Sequence, residues 1–112
     1  MKRFEDSIVW QKSKSLNIGV YKTFKDSRDF GFRDQIQRAA VSVMNNISEG
    51  FERDGNKEFR KFLFIAKGSA GEVRSMLILA RELDYISPTN YRALYNLAEE
   101  VSKLLAALIK KL

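Results

Sequence analysis

The sequence predicts an all-α protein, built as an antiparallel up-and-down four-helix bundle in a single domain, residues 1–112. Apolar residues recur at steps of three and four in four successive segments, and short turn-forming stretches separate them. None of the segments has the two-residue alternation of a β-strand. We therefore expect helices over about residues 7–25, 32–52, 57–83 and 88–111.

The first predicted helix has an apolar stripe at helical spacing, made of Val9, Ser13, Leu16, Val20 and Phe24. The segment DSRDFG then breaks the period. Asp29 is of a residue type that caps helix N-termini, so we expect the second helix to follow it.

The second predicted helix has an apolar face formed by Phe32, Ile36, Ala40, Val43, Ile47 and Phe51. Its end is marked by RDGN at positions 53–56. Gly55 can adopt a left-handed conformation there, and Asp54 or Asn56 can cap the next helix. These signals predict a tight hairpin between the second and third helices.

The third predicted helix carries two stripes. The main apolar side contains Phe59, Phe62, Leu63, Ala66, Ala70, Val73, Leu77 and Ala80, and a second stripe contains Phe64, Gly68, Gly71, Ser75 and Leu79. A glycine inside a helix costs roughly 1 kcal/mol relative to alanine. We therefore interpret Gly68, Gly71 and Ser75 as positions where another helix packs closely.

The fourth predicted helix begins at Ser87-Pro88, an N-cap residue followed by proline at the first helical position. Its apolar positions are Leu94, Ala98, Val101, Leu105, Leu108 and Leu112, and Leu97 and Leu104 widen the face. The apolar surface of the last two helices exceeds what one core needs, which predicts self-association. In the alternative interpretation, loops cover the extra residues.

Composition excludes several kinds of chemistry. The chain has no Cys and no His, so it has neither disulfides nor thiolate nor imidazole catalysis, and it lacks the usual zinc ligands. We expect no enzyme activity, no metal and no cofactor. Lys and Arg total 20 against 14 acidic residues, and this net charge of +6 favours an anionic partner such as RNA or DNA.

The N-terminal stretch MKRFEDSIVW lacks the apolar core of an export signal, and no apolar run approaches the length of a membrane span. We expect a cytoplasmic protein. The C-terminal LLAALIKKL could attach to an anionic membrane surface, but its leucines fit the bundle core, so we expect no membrane contact.

A polar stripe runs along the second predicted helix at steps of three and four residues. Short polar groups are poor helix formers compared with Lys and Glu, so a packed face is the interpretation we favour. A freely solvated face and a catalytic group, with Glu49 as base, Arg38 as anion clamp and Ser42 as nucleophile, are the alternatives. The stripe consists of Gln35, Arg38, Ser42, Asn45, Asn46 and Glu49.

A basic row runs along the third predicted helix. Its members follow one another at intervals of seven residues: Arg60, Lys67, Arg74 and Arg81. Lys57 and Lys61 extend it near the hairpin, and Lys14, Lys22 and Lys25 lie on the outer side of the first helix. Such a row can contact successive phosphates of a nucleic acid, whereas ordinary solvation is the simpler interpretation.

Residues 35–53, QIQRAAVSVMNNISEGFER, and 57–87, KEFRKFLFIAKGSAGEVRSMLILARELDYIS, resemble the intervening-sequence or S23 proteins, as does the opening FEDSIVWQKSKSLNIGVYKTF. The reading frames of that family lie in insertions within bacterial 23S ribosomal RNA genes. The positions that match are Gln35, Arg38, Ser42, Asn46, Glu49, Gly50, Phe59, Phe62, Leu63, Ala66, Gly68, Ser69 and Glu72.

The resemblance implies a four-helix bundle that assembles into a ring, as a homopentamer. It also implies kinship with the accessory variability protein of diversity-generating retroelements, which associates with a reverse transcriptase and with nucleic acid. We therefore expect a non-enzymatic basic ring that binds RNA or DNA backbones. The alternative is a scaffold that docks a nucleic-acid enzyme such as a reverse transcriptase without binding nucleic acid itself.

Overall fold

Four helices make up most of the chain in the computed structural model, which describes residues 3–112. They are α1 (Ile8–Phe24), α2 (Phe30–Glu52), α3 (Asn56–Glu82) and α4 (Pro88–Lys110). A short 3₁₀ turn at Phe4–Asp6 precedes α1, and residues 3–112 contain no strand. The all-α, four-helix prediction is confirmed.

Each helix packs against its two neighbours in a four-cornered arrangement. The contacts are α1 with α2, α2 with α3, α3 with α4, and α4 back with α1, whereas α1 and α3 are diagonal, as are α2 and α4. Short turns join consecutive helices, so their directions alternate in the up-and-down topology. The resulting bundle measures 43 × 22 × 20 Å.

The core is formed by the apolar stripes that the sequence predicts. Leu16 of α1, Ile36 of α2, Leu63 and Leu77 of α3, and Leu105 of α4 are completely buried. Alanines at closely packed positions of α2, α3 and α4 are buried among them. The α2–α3 hairpin is closed by aromatic packing, because the rings of Phe51 and Phe59 meet edge to face with their centroids 4.7 Å apart.

Two of the three predicted helix starts have the expected caps. The Asp29 carboxylate accepts a hydrogen bond from the Phe32 backbone N–H at 3.1 Å, so α2 begins directly after Asp29 and not at residue 32. The Ser87 hydroxyl accepts one from the Asn90 N–H at 3.1 Å, and Pro88 is the first residue of α4.

The third start differs from the prediction. Gly55 has the expected positive φ of 84°, but it is itself the residue that precedes α3, and Asn56 already belongs to the helix. The expectation that Asp54 or Asn56 caps α3 is therefore wrong. The chain turns at a residue without a side chain, so no side chain at that position can accept a hydrogen bond from the first N–H groups.

Within residues 3–112, no helix combines the length and the apolar composition that a bilayer-spanning segment needs.

Candidate nucleic-acid interface

The basic row lies along one edge of α3, beside α4. Arg60 marks this edge, because its Nε donates a 3.5 Å hydrogen bond to the backbone oxygen of Ile109. Lys67, Arg74 and Arg81 follow at seven-residue steps and so lie close to the same side of the helix. The side chains of Arg60, Lys67 and Arg81 are exposed, and that of Arg74 is half-buried.

None of these four cations forms an ion pair within the described part of the chain. The ion pairs found there involve other basic residues, Arg3, Lys12, Arg33, Arg53 and Lys103. Arg74 also has a buried Nε that donates no hydrogen bond to any described residue. The edge of α3 therefore carries positive charge that the bundle itself does not neutralise.

An open pocket of about 430 Å³ lies at the hairpin end of this row. It is lined by Lys57, Arg60, Lys61 and Phe64, together with Asn56 and the C-terminal Leu112. Phe64 is 51% exposed, and the Arg60 guanidinium lies 5.3 Å from the centroid of its ring. Cations and an accessible aromatic ring therefore meet at one end of the bundle, a combination that suits a nucleic-acid strand.

The three lysines of α1 are not part of this surface. Lys14 and Lys22 are exposed on α1 and Lys25 directly after it, and α1 is diagonal to α3 and does not contact it. The Lys14 ammonium lies 5.6 Å from the ring centroid of Trp10 on the same helix. The predicted basic residues thus form two separate groups, and only the group on α3 makes a continuous row.

Three residues of the polar stripe on α2 form hydrogen bonds at or beside the contact with α3. The hydroxyls of Ser42 and Ser69 lie 2.8 Å apart, and Asn46 Nδ2 donates to the backbone oxygen and the hydroxyl of Ser42 at 2.8 and 3.0 Å. Gln35 Nε2 donates to a carboxylate oxygen of Glu72 at 3.4 Å. Ser42 and the exposed Gln35 therefore bond across to α3, whereas Asn46 bonds to Ser42 within α2.

The other half of the stripe faces outward. Arg38, Asn45 and Glu49 are exposed, and Glu49 pairs with Arg53 at 3.1 Å. Arg38 forms no ion pair within residues 3–112. Ser42 bonds to Ser69 and Asn46, and Glu49 lies two helical turns away, so the catalytic grouping is not assembled.

The glycines predicted to pack closely are on the outer face of α3. A Cβ added at Gly68 would meet nothing within 4 Å, and one at Gly71 would meet only Arg74 at 3.7 Å. Ser75 is exposed on the same stripe, between the exposed Phe64 and Leu79. None of the four described helices covers these positions, so close packing there remains a prediction about a partner.

Close approach occurs instead at two other glycines. A Cβ on Gly50 would lie 2.9 Å from a ring carbon of Phe59, and one on Gly19 would lie 2.5 Å from a methyl carbon of Leu94. Neither glycine was singled out from the sequence for packing. Their position on or beside the apolar face of a helix could have indicated close packing. The residue that each one contacts is known only once the helices are packed together.

A buried asparagine on α1 was also missed. Asn17 is 6% exposed, and its Nδ2 donates to the backbone oxygens of Ser13 at 2.9 Å and Ala40 at 2.7 Å, which ties α1 to α2. Its Oδ1 has no partner among the described residues. The available signal was its position four residues after Ser13 and one after Leu16, on the apolar side of the helix.

Residues 3–112 contain no cluster of three or more carboxylate, imidazole or thiol side chains that could hold a metal ion.

Residues 5–107 match the family model of the 23S rRNA-intervening sequence protein. The chain belongs to the 23S rRNA-intervening sequence protein family. The match extends from the 3₁₀ turn into the last turns of α4, so it includes the polar stripe and the basic row. No curated protein matches the chain.

A solved structure of similar fold comes from Bacteroides thetaiotaomicron VPI-5482, a protein of unknown function from the S23 ribosomal protein family whose crystal structure has a resolution of 1.70 Å. It is 29% identical to this 23S rRNA-intervening sequence protein, with a TM-score of 0.87. The similarity covers 92% of this chain and 99% of the other. The two proteins therefore share the four-helix bundle fold. The fold does not identify a biochemical function, which has to be argued from the surface residues.

Proposed function

We propose that this protein is a non-enzymatic helical bundle that binds the phosphate backbone of RNA or DNA along α3. The observation that carries the proposal is the row of Arg60, Lys67, Arg74 and Arg81, none of which is neutralised by an ion pair in the described part of the chain. A repeat of seven residues places successive cations ~10 Å apart along the helix. That spacing allows contacts to several phosphates of one extended strand.

The pocket at the hairpin end favours a single-stranded nucleic acid, whose bases are accessible. Phe64 offers an exposed ring between the cations of Lys57, Arg60 and Lys61. Bases stack on aromatic rings without much dependence on sequence, while the cations hold the backbone. The proposed binding is therefore largely independent of sequence and stronger for single strands than for a duplex.

We also propose that copies of the chain associate through the uncovered stripe on α3, which contains Gly68, Gly71 and Ser75. The exposed apolar residue Leu79 continues it along α3, and small residues allow helix backbones to approach closely, while Phe64 at the hairpin end stays outside the contact and open to bases. A closed ring, for which the family resemblance suggests five subunits, brings several basic rows together. Binding to a long RNA is then strengthened by multiple contacts.

The test is fluorescence anisotropy with labelled single-stranded RNA across a salt series. The key variant reverses three exposed cations of the row, Arg60→Glu, Lys67→Glu and Arg81→Glu. Its matched control reverses three exposed cations on the diagonal helix, Lys14→Glu, Lys22→Glu and Lys25→Glu, with the same change in net charge.

We expect the α3 variant to lose RNA binding at moderate salt and the α1 variant to retain most of it. Equal losses would show that net charge, not the row, attracts RNA. Undiminished binding by the α3 variant would contradict the proposal. Circular dichroism and light scattering of both variants verify that the helices and the oligomeric state are intact.

A further inference from the structure

A groove between α1 and α2 exposes apolar side chains that do not belong to the α3 row. Ile18 and Tyr21 of α1 are 47% and 44% exposed, and they line a pocket of about 340 Å³ together with Val41 and Met44 of α2. A second pocket of about 300 Å³ shares Tyr21 and Val41, so the two are continuous. The result is an open depression between the antiparallel helices α1 and α2, apolar in the first pocket and flanked by Asp34, Gln37 and Arg38 in the second.

The floor of this groove is held in place by Asn17. Its amide nitrogen donates to the backbone oxygens of Ser13 on α1 and Ala40 on α2, at 2.9 and 2.7 Å. These buried bonds fix α1 relative to α2 beneath Ile18 and Met44. The groove is therefore pre-organised, which lowers the entropic cost of binding a partner.

The charges around the groove have predominantly one sign. Lys22 lines the first pocket and Arg38 the second, and Lys14 and Lys25 lie on the outer side of α1, within one turn of Ile18 and Tyr21. None of these four cations forms an ion pair within residues 3–112. Asp34, the acidic residue in the second pocket, already pairs with Arg33 at 3.3 Å.

We propose that this groove binds an amphipathic α-helix of a partner protein, with acidic residues on both sides of its apolar stripe. A groove between two packed helices accepts the ridge of a third helix, and its apolar floor accepts side chains at positions i, i+3, i+4 and i+7. The unpaired cations select acidic flanks. Ile18, Val41 and Met44 are aliphatic and give bases no ring to stack on, so the floor favours protein over nucleic acid.

This inference goes beyond nucleic-acid binding and does not depend on it, because the groove is lined by side chains of α1 and α2, whereas the row consists of side chains of α3. The two surfaces leave room for one molecule to hold RNA and a protein at the same time. The scaffold alternative that the sequence suggested thereby gains a specific docking site.

The probe is a set of three fluorescein-labelled synthetic 18-residue helices that share one leucine stripe. They differ only in the residues that flank the stripe, which are glutamate, glutamine or lysine. Fluorescence anisotropy at low salt measures the affinity of each helix for the 112-residue chain. We expect the glutamate helix to bind at least about tenfold more tightly than the lysine helix, with the glutamine helix between them.

Two variants on the same helix locate the binding site. Ile18→Asp places a carboxylate in the groove and is expected to weaken the glutamate helix by about tenfold or more. Ile8→Asp is the matched control, because Ile8 is also an α1 isoleucine and is 54% exposed, but it lines a pocket on the α4 side of the bundle. It is expected to leave the affinity unchanged.

The α1 and α3 charge variants distinguish this proposal from the nucleic-acid proposal. The α1 variant should lose the glutamate helix and keep RNA, and the α3 variant should do the reverse. No dependence on the flanking charge, no binding of any of the three helices, or equal losses in Ile18→Asp and Ile8→Asp would overturn the groove proposal. Dissociation of the oligomer by Ile18→Asp would also overturn it, because a second copy of the chain would then be the occupant of the groove. Loss of RNA binding by Ile18→Asp would overturn it as well, because RNA would then be the occupant.

Discussion

The Tyr85 hydroxyl donates a hydrogen bond of 2.9 Å to Asp29 Oδ2, across 56 positions of sequence. The other carboxylate oxygen of Asp29 accepts the Phe32 N–H that begins α2. One carboxylate therefore caps a helix and joins the α1–α2 turn to the α3–α4 turn. The ring of Tyr85 also packs edge to face on Phe32, with centroids 5.4 Å apart.

Asp29→Ala is expected to destabilise the protein by about 1 kcal/mol through loss of the cap, and somewhat more because the tie to Tyr85 is lost with it. Tyr85→Phe removes the tie alone and keeps the ring on Phe32, so its effect should be smaller. Urea unfolding followed by circular dichroism measures both. If Tyr85→Phe proves the more damaging change, the carboxylate does not have the double role described.

The hydrogen bond to Asp29 raises the pKa of Tyr85, because the bond favours the protonated phenol, and partial burial and the negative charge of Asp29 act in the same direction. A group with a raised pKa in the folded protein contributes stability below its unfolded pKa, about 10 for tyrosine. That contribution is lost as pH rises through the folded pKa.

Absorbance titration of the tyrosines is expected to show one phenol whose ionisation moves to lower pH in Asp29→Asn. Asparagine still caps a helix, so the variant changes the charge without removing the cap. A titration curve identical to that of the unchanged protein would contradict the assignment.

Gly50→Ala is expected to destabilise the bundle by about 1–3 kcal/mol, because the new methyl group would lie 2.9 Å from the Phe59 ring and 3.3 Å from its backbone oxygen. Gly68→Ala has no such neighbour. It should stabilise the isolated chain by up to about 1 kcal/mol through helix propensity.

The same Gly68→Ala variant tests the proposed association along α3. A methyl group between closely packed helices should weaken the oligomer even though the single chain gains stability. Sedimentation at several concentrations measures association, and dilute thermal unfolding measures the chain. An oligomer as strong as that of the unchanged protein would place the contact elsewhere.

Ser42→Ala removes the hydroxyl that faces Ser69 and Asn46, and we expect a loss of about 1 kcal/mol in stability. Asn45→Ala on the same helix is the control, because Asn45 is exposed and should change stability by less than about 0.5 kcal/mol. Chemical denaturation measures both variants. Similar effects for the two would indicate that the stripe is uniformly solvated.

The salt dependence of RNA binding reports the number of phosphates that the α3 row contacts. For single strands the slope of log K against log salt is about −0.7 per phosphate. Removing three contacts in the Arg60, Lys67 and Arg81 variant should therefore make the slope shallower by about 2. An unchanged slope with weaker binding would mean that these residues act indirectly.

Most of the helical architecture could be predicted from local chemistry. The apolar spacing of the four helices depends only on residues close in sequence, and so do the caps Asp29 and Ser87. The structure has both caps where the sequence predicts them. The cap of α3 was predicted wrongly because either Asp54 or Asn56 suits a turn. Only the backbone path through Gly55 decides which residue precedes the helix.

The candidate sites could be predicted only in part. The row from Arg60 to Arg81 could be predicted from its seven-residue spacing on a helix. The α1 lysines were grouped with it because net charge does not indicate where on the surface a charge lies. The split of the polar stripe, with Ser42 on Ser69 and Arg38 exposed, depends on where α3 docks against α2. Asn17 and the groove above it were missed for the same reason.

The amino-acid sequence by itself determined an all-α bundle, its four helices, its positive charge and its family, because these follow from periodicity, composition and motif. Only the tertiary structure decided which faces remain uncovered. It placed α1 diagonal to α3, left the stripe of Gly68 and Gly71 open, and formed the groove of Ile18 and Met44. The physical reason is that a helix has several usable faces, and the choice among them is made when all four helices pack at once.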